Sequence, residues 1–362
     1  MAPVLTVLPP RERFALGQAG AISLLAHRLA APGDIVAGQP VEVPFADVAF
    51  RAVRPSRWAL WPRSAAGRYA VAVAKIVREV RPALVEIHNR PDIALALARR
   101  FPGLPMTLTL HNDPRAMRGA ASPAQRAALT RRMKVIAVSD WVHQRFAEGL
   151  PGITVAVMPN CIDMASLPPP VPAAARDRTI LFAGRVVADK GADAFVAACG
   201  ALLPHLPGWR ACMIGADRFG GDSPETPFLR ALRPAARAAG VEMVGYRPHE
   251  QVLAEMARAA IVVVPSRWAE PFGLTALEAM ACGAALVASP VGGLREVVGD
   301  AAILARPDPV TELAAAIGEL AAAPERRAAL SEAGRAQAAM FDCAAARARL
   351  GELRRQAAIA AR

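Results

Sequence analysis

Residues 261–283 read IVVVPSRWAEPFGLTALEAMACG. Ile261 to Val264 form a continuous apolar run rich in β-branched side chains, the pattern of a strand covered on both faces of a parallel sheet. Pro265 and Ser266 end the strand and Pro271 stiffens the loop after it. From Gly273 onward, Leu274, Leu277 and Ala281 recur at helical spacing as far as Cys282 and Gly283. A helix therefore starts at the carboxyl end of a buried strand, where its first backbone N–H groups, from about Gly273 to Thr275, lack partners within the helix and suit a phosphate. Glu278 lies about a turn inside the helix, and Glu270 sits on the loop before it. Two carboxylates flanking an anion site fit a ligand that carries hydroxyls at both ends. One acidic residue near a helix start is explained by the helix dipole alone; the whole string is not.

Working outward, strand-like runs alternate with helix-like segments, the order that builds parallel sheets covered by helices. Strands are expected near 3–8, 83–87, 106–110, 134–138 and 154–157, then near 179–183, 210–214, 241–245, 261–264 and 285–288. Between the two sets, SLPPPVPAAARD (166–177) is proline-rich and aperiodic, which predicts a semi-rigid linker. The expected division is a first domain over 1–165, the linker, and a second domain over 178–343, with 344–360 (AAARARLGELRRQAAIA) as a closing helix.

Open α/β sheets bind ligands just past the carboxyl ends of their strands, so the residues there carry the functional reading. After strand 179–183 comes GRVVADKG, with Gly184, Arg185, Lys190 and Gly191 at a strand-to-helix turn. Glycines that allow close approach, together with two cations, suit a diphosphate. Lys190 stands out, because Lys75, Lys134 and Lys190 are the only lysines among 43 basic residues. A lysine in such a chain points to a need for a compact point charge. In the first half, strand 83–87 runs into His88, Asn89 and Arg90, and strand 106–110 into His111, Asn112 and Asp113; the two His-Asn pairs are expected to share one crevice. Ser139 and Asn160 also fall at strand ends, where capping or turn roles suit them.

The chain has 362 residues and 54% hydrophobic content, enough for two cores. No apolar run approaches the ~20 residues that span a bilayer, and the N-terminus lacks the pattern of a secretion signal, so a cytoplasmic location is expected. The five cysteines are odd in number, widely spaced and without a CxxC, which predicts packed, inert thiols rather than a disulfide framework or zinc site. A net charge of +12 and a sequence pI near 10.7 invite a polyanionic partner. The excess is nearly all Arg beside abundant Ala, however, which reads as coding bias, and nucleic acid is not expected. Residues 50–69, FRAVRPSRWALWPRSAAGRY, interleave Arg51, Arg54, Arg57, Arg63 and Arg68 with Phe50, Trp58, Trp61 and Tyr69. A solvated face, a packed loop or a nucleic-acid platform would each account for this, but aromatic rings with arginines suit the surface of an anionic membrane best.

The 261–283 string and GRVVADKG resemble the signature of the retaining glycosyltransferases of family 4, the glycosyl transferases group 1. The resemblance runs over 83–164 and most fully over 179–300. It implies the α/β GT-B fold, two Rossmann-like doubly wound domains facing across a cleft, with the last helix crossing back to the first domain. It also implies a nucleotide-diphosphate sugar donor, a glycan or lipid-linked acceptor, cell-envelope polysaccharide or lipopolysaccharide synthesis, and no metal or other cofactor. Carried over by motif, Glu270 contacts the donor sugar, Glu278 the ribose, and Arg185 and Lys190 the diphosphate, with Gly184, Phe272, Gly273, Leu274 and Thr275 around them. His111 falls near the donor sugar; His88, Asn89, Arg90 and Asn112 are acceptor-side candidates. Such enzymes are described by front-face displacement, in which the leaving diphosphate helps take the acceptor proton. The first loop, LGQAGAIS (16–23), departs from the family's Gly-Gly pair: Gly20 remains as a donor-binding candidate while Ala21 takes the second place. Cys161 likewise replaces a frequent Gly. An NAD-dependent dehydrogenase would leave both glutamates unexplained and lacks a GxGxxG after a predicted strand. A sugar-nucleotide epimerase and a non-catalytic sugar-nucleotide sensor remain as alternatives.

Overall fold

The computed structural model describes residues 2–56, 62–218, 223 and 225–360. The chain divides into two compact units, residues 1–161 with 343–362, and residues 162–342. The first is built on a seven-stranded sheet of β1 (Val4–Val7), β2 (Ile35–Gly38), β3 (Ala49–Ala52), β4 (Leu84–His88), β5 (Met106–Leu110), β6 (Lys134–Ala137) and β7 (Ala156–Val157). Its order is β3-β2-β1-β4-β5-β6-β7, and every pairing is parallel. The second unit carries a six-stranded parallel sheet of β8 (Asp177–Ala183), β9 (Arg210–Ile214), β10 (Val241–Gly245), β11 (Ala259–Val264), β12 (Ala285–Ala288) and β13 (Ile303–Leu304), ordered β10-β9-β8-β11-β12-β13.

Each sheet reverses direction of winding once, between β1 and β4 in the first and between β8 and β11 in the second. The central strands are buried along their whole length because helices cover both faces: Ile261, Val262 and Val263 of β11 are wholly buried, as are Val85 and Ile87 of β4. No helix of the described residues is long and apolar enough to cross a membrane.

Three features differ from expectation. Strands β2, β3 and β13 were not foreseen. The boundary between the units falls at 161/162 rather than in the proline-rich stretch, and 166–177 belongs to the second unit. The reason is Arg176, which is buried there and donates to the carbonyls of Met256, Ala259 and Cys282, fastening the segment to the second sheet's helices. Finally, two aromatic rings assigned to a membrane-facing stretch turn inward. Phe50 lies on β3 and stacks against Phe14 with ring centroids 5.7 Å apart, and Tyr69 is buried in the helix Ala65–Val80, its hydroxyl donating to the Leu8 carbonyl at 3.0 Å. Arg51, Arg54 and Arg63 are exposed; Arg57, Trp58 and Trp61 lie outside the described residues.

Candidate functional site

The second unit gathers the expected donor-side residues at its β8/β11 reversal. The loop after β11 is fastened to the turn after β8 by main-chain bonds from Arg267 N and Trp268 N to the Asp189 carbonyl, at 2.9 and 3.1 Å. The Arg267 guanidinium adds bonds to the Ala188 carbonyl and to the carboxylates of Asp193 and Asp308. At Gly191 an added Cβ would lie 1.9 Å from the Pro265 carbonyl oxygen, so only glycine lets this turn sit against the end of β11. The result brings Lys190 and Glu270, 80 residues apart in sequence, into an ion pair. Glu270 is buried, its Oε1 also accepting from Ser266 Oγ at 2.8 Å, while Lys190 Nζ stands 4.9 Å from the centre of the Trp268 ring. The carboxylate is thus aimed by two donors.

Behind Glu270, the Gly293 N–H donates to the Glu270 carbonyl at 2.7 Å. Gly292 adopts φ 58°, and a Cβ there would fall 2.1 Å from the same oxygen. This support was missed in the sequence, where the Gly-Gly pair at 292–293 was its one visible sign. The helix Leu274–Ala281 follows as expected from Gly273, and no side chain caps it, which leaves the first-turn N–H groups of Leu274 and Thr275 for an anion. Phe272 is buried and packs edge-on against Phe341. Glu278 is bonded to His249 Nε2 at 2.7 Å, so residues 245–250 (GYRPHE) contribute a side chain that the sequence alone does not single out. The side chain of Arg185, half-buried beside Gly184, makes no hydrogen bond or ion pair among the described residues. One tethered cation, one unengaged cation and an uncapped helix start therefore surround two carboxylates.

In the first unit, β4 and β5 are neighbours and carry the two histidines to one place. His88 Nδ1 and His111 Nε2 lie 2.9 Å apart, so a single proton serves both nitrogens. Asn89, with φ 55°, accepts from the His111 backbone N–H through its side-chain oxygen at 3.0 Å. Arg90 forms a two-pronged pair with Asp92 at 2.9 and 2.8 Å. Asn112 is half-buried beyond β5. Ser139 caps the helix Asp140–Ala147, its hydroxyl accepting from Val142 N, as expected; the Asn160 side-chain oxygen is buried with no partner among the described residues. Gly20 precedes the helix Ala21–Leu29, but the anion position at that helix start is taken by the protein itself: Glu12 accepts from both the N–H and the hydroxyl of Ser23, and burial raises its pKa.

Burial holds the pKa of His88 below its ordinary value, with Arg354 adding to the effect and Glu86 opposing it. His111 lies well below, from burial and then from His88 beside it. Folding thus favours the neutral form of both rings, whereas unfolded histidines take up a proton near pH 6.5. The stabilisation is therefore complete above about pH 6.5 and lost as the pH falls below it, by up to about 1.4 kcal/mol per pH unit for each such ring. His111→Gln should flatten the fall in unfolding free energy between about pH 6.5 and 5 relative to the native chain, as read by urea unfolding. An unchanged slope would mean that the ring is not held neutral.

A family model described as glycosyl transferases group 1 matches residues 165–337, and one described as glycosyltransferase family 4 matches residues 22–166. The chain belongs to the group 1 glycosyl transferases. Among relatives, this family member is 37% identical over 198 residues to the D-inositol 3-phosphate glycosyltransferase of Segniliparus rotundus, a match covering 52% of this chain and 43% of that protein. It is 33% identical over 284 residues to the glycogen synthase of Mycobacterium tuberculosis, covering 69% and 64%. The matches thus span between two-fifths and two-thirds of those relatives' lengths. The fold agrees with solved GT-B structures: sucrose-phosphate synthase from Thermosynechococcus elongatus superposes with a TM-score of 0.78 at 21% identity over 98% of both chains. Anabaena HepE, solved in complex with UDP-glucose, does so at 0.74 and 19%, over 96% and 98%.

Proposed function

We propose that this chain is a retaining glycosyltransferase that moves a sugar from a nucleotide-diphosphate sugar to a glycan or lipid-linked acceptor, in the synthesis of cell-envelope polysaccharide. The observation that carries this reading is the held Glu270 carboxylate beside an uncapped helix start, with Glu278 one turn inside that helix and Arg185 at the adjoining strand end. In the proposed reaction the bond from the anomeric carbon to the diphosphate breaks and a bond to the acceptor oxygen forms on the same face. The acceptor proton passes to the departing diphosphate. Arg185, Lys190 and the N–H groups of Leu274 and Thr275 stabilise the charge that develops there. Glu270 orients the sugar, and Glu278 holds the ribose. Family membership and a UDP-glucose complex of a protein of the same fold support the donor class.

A thermal-shift panel of nucleoside diphosphates and their sugars tests the donor, since a ligand at a hundred times its Kd stabilises by about 2.7 kcal/mol. At least one nucleotide should raise the melting temperature of the native chain, and Glu278→Ala should reduce that rise while melting at nearly the same temperature without ligand. Equal stabilisation of both chains would remove Glu278 from the site. Incubation with the bound donor alone separates the remaining readings: an epimerase would convert the sugar, whereas transfer requires an acceptor.

A further inference from the structure

The first unit holds a cavity of about 330 Å³ just past the end of β4, lined among others by Ala66, Asn89, Arg90, Asp92, Met117 and Arg118. Its volume falls within the range of small-molecule sites. Asn89 joins it to the histidine pair, because the same side chain accepts from the His111 backbone. The electrostatics of the walls are one-sided. Asp92 is neutralised by the Nε and Nη2 groups of Arg90, and Asp113 and Glu148 are paired with Arg115 and Arg145. The Arg118 side chain is exposed and has no hydrogen bond or ion pair among the described residues, so its charge stands uncompensated at the rim, and Arg90 Nη1, on the same lining, is left over from the pair with Asp92.

The loop that carries Arg118 is fixed from beneath. Arg126 is 2% exposed and donates to the carbonyls of Ala120 and Ala121 at 3.1 Å, and also to those of Phe146 and Glu148. Displacing a buried guanidinium from its carbonyls would leave its charge unsatisfied in the interior, so the rim is held in place and Arg118 is presented on a fixed support. The Ala65–Val80 and Pro91–Arg100 helices both begin at this cavity and add the positive ends of their dipoles to the arginines.

We propose that this cavity binds a phosphate group of the acceptor, with Arg118 and Arg90 as its cationic walls. Naming the ligand an acceptor rests on the glycosyltransferase reading; the binding of phosphate does not. The test uses the full chain and needs no turnover. Inorganic phosphate titrated by calorimetry should bind the native chain and Lys190→Ala alike, and Arg118→Glu about tenfold more weakly or worse. Cosedimentation with phosphatidic acid vesicles, against phosphatidylcholine vesicles, separates the sources. Retention on phosphatidic acid that Arg118→Glu abolishes assigns a lipid-borne phosphate, and binding of free phosphate without retention assigns a soluble one. The proposal is overturned if neither probe binds the native chain, if Arg118→Glu binds as the native chain does, or if Lys190→Ala loses phosphate to the same extent, which would place it at the second unit. Sugar transfer without phosphate binding would leave the function standing and this site wrong; phosphate binding without transfer would do the reverse.

Discussion

Glu270→Ala should lower turnover by about two to three orders of magnitude while changing donor affinity by less than about tenfold. The carboxylate is buried and held by Lys190 and Ser266, and its backbone is pinned by the Gly292–Gly293 turn, so its position does not depend on the ligand. A group fixed in advance contributes most where charge and bond lengths change, which is in the transition state. The variant also releases Lys190 from its carboxylate and leaves it beside Trp268 as a free cation near the diphosphate, which works against a large loss of donor binding. Donor affinity by calorimetry and single-turnover rates with a working acceptor would measure the two effects separately. A fall confined to affinity would assign Glu270 to ground-state binding, and an unchanged rate would remove it from the site.

The second large effect is on stability. Arg354 in the helix Cys343–Ala360 donates to Glu86 at 3.0 and 2.8 Å and to Asp34 at 2.9 Å. Both carboxylates are buried, and Thr6 adds a bond to Glu86 at 3.3 Å. Arg354→Met keeps the aliphatic stem but leaves two carboxylates in the interior of the first unit without their cation, which costs about 3–5 kcal/mol. Against a total of about 5–15 kcal/mol for a typical protein, the first unit should unfold at markedly lower urea concentration. Adding Glu86→Gln and Asp34→Asn should recover part of the loss, because neutral amides require no counter-charge. A loss below about 1 kcal/mol would show that water reaches these groups after all.

How far the sequence revealed this arrangement depended on burial. Strands β11 and β12 and the Ile180–Ala183 end of β8 announce themselves as unbroken apolar runs, and β4 and β5 as short runs of large apolar residues interrupted by single polar ones. The strands that were missed are marginal: β3 reads AFRA and alternates exposed with half-buried at the sheet edge, β13 is the dipeptide Ile303–Leu304, and β2 ends in Gly38 after four residues. At the site, Glu270, Glu278, Arg185 and Lys190 were legible because strand ends and helix starts are local signals. The Lys190–Glu270 pair was not, since it is imposed by Arg267, whose partners Asp193 and Asp308 lie 74 and 41 residues away. His249 escaped for the same reason: its partner Glu278 is 29 residues on. The prolines of 166–177 suggested an independent linker, and only the burial of Arg176 overrides them. In a chain this rich in Arg, nothing marks that one as interior.

The division of the chain also sets the order in which its parts can be completed during synthesis. Every residue of the second unit, 162–342, is contiguous, so it can close its sheet as soon as Asp342 has emerged. The first unit begins earlier and finishes later. Its Glu86 and Asp34 must wait for Arg354, made some 270 and 320 residues after them, before the interior that holds them is electrically balanced. The expected order is therefore the reverse of the usual one, in which the amino-terminal domain folds first on the ribosome. A chain arrested before Cys343 would present a finished second unit joined to a first unit that still lacks its closing helix.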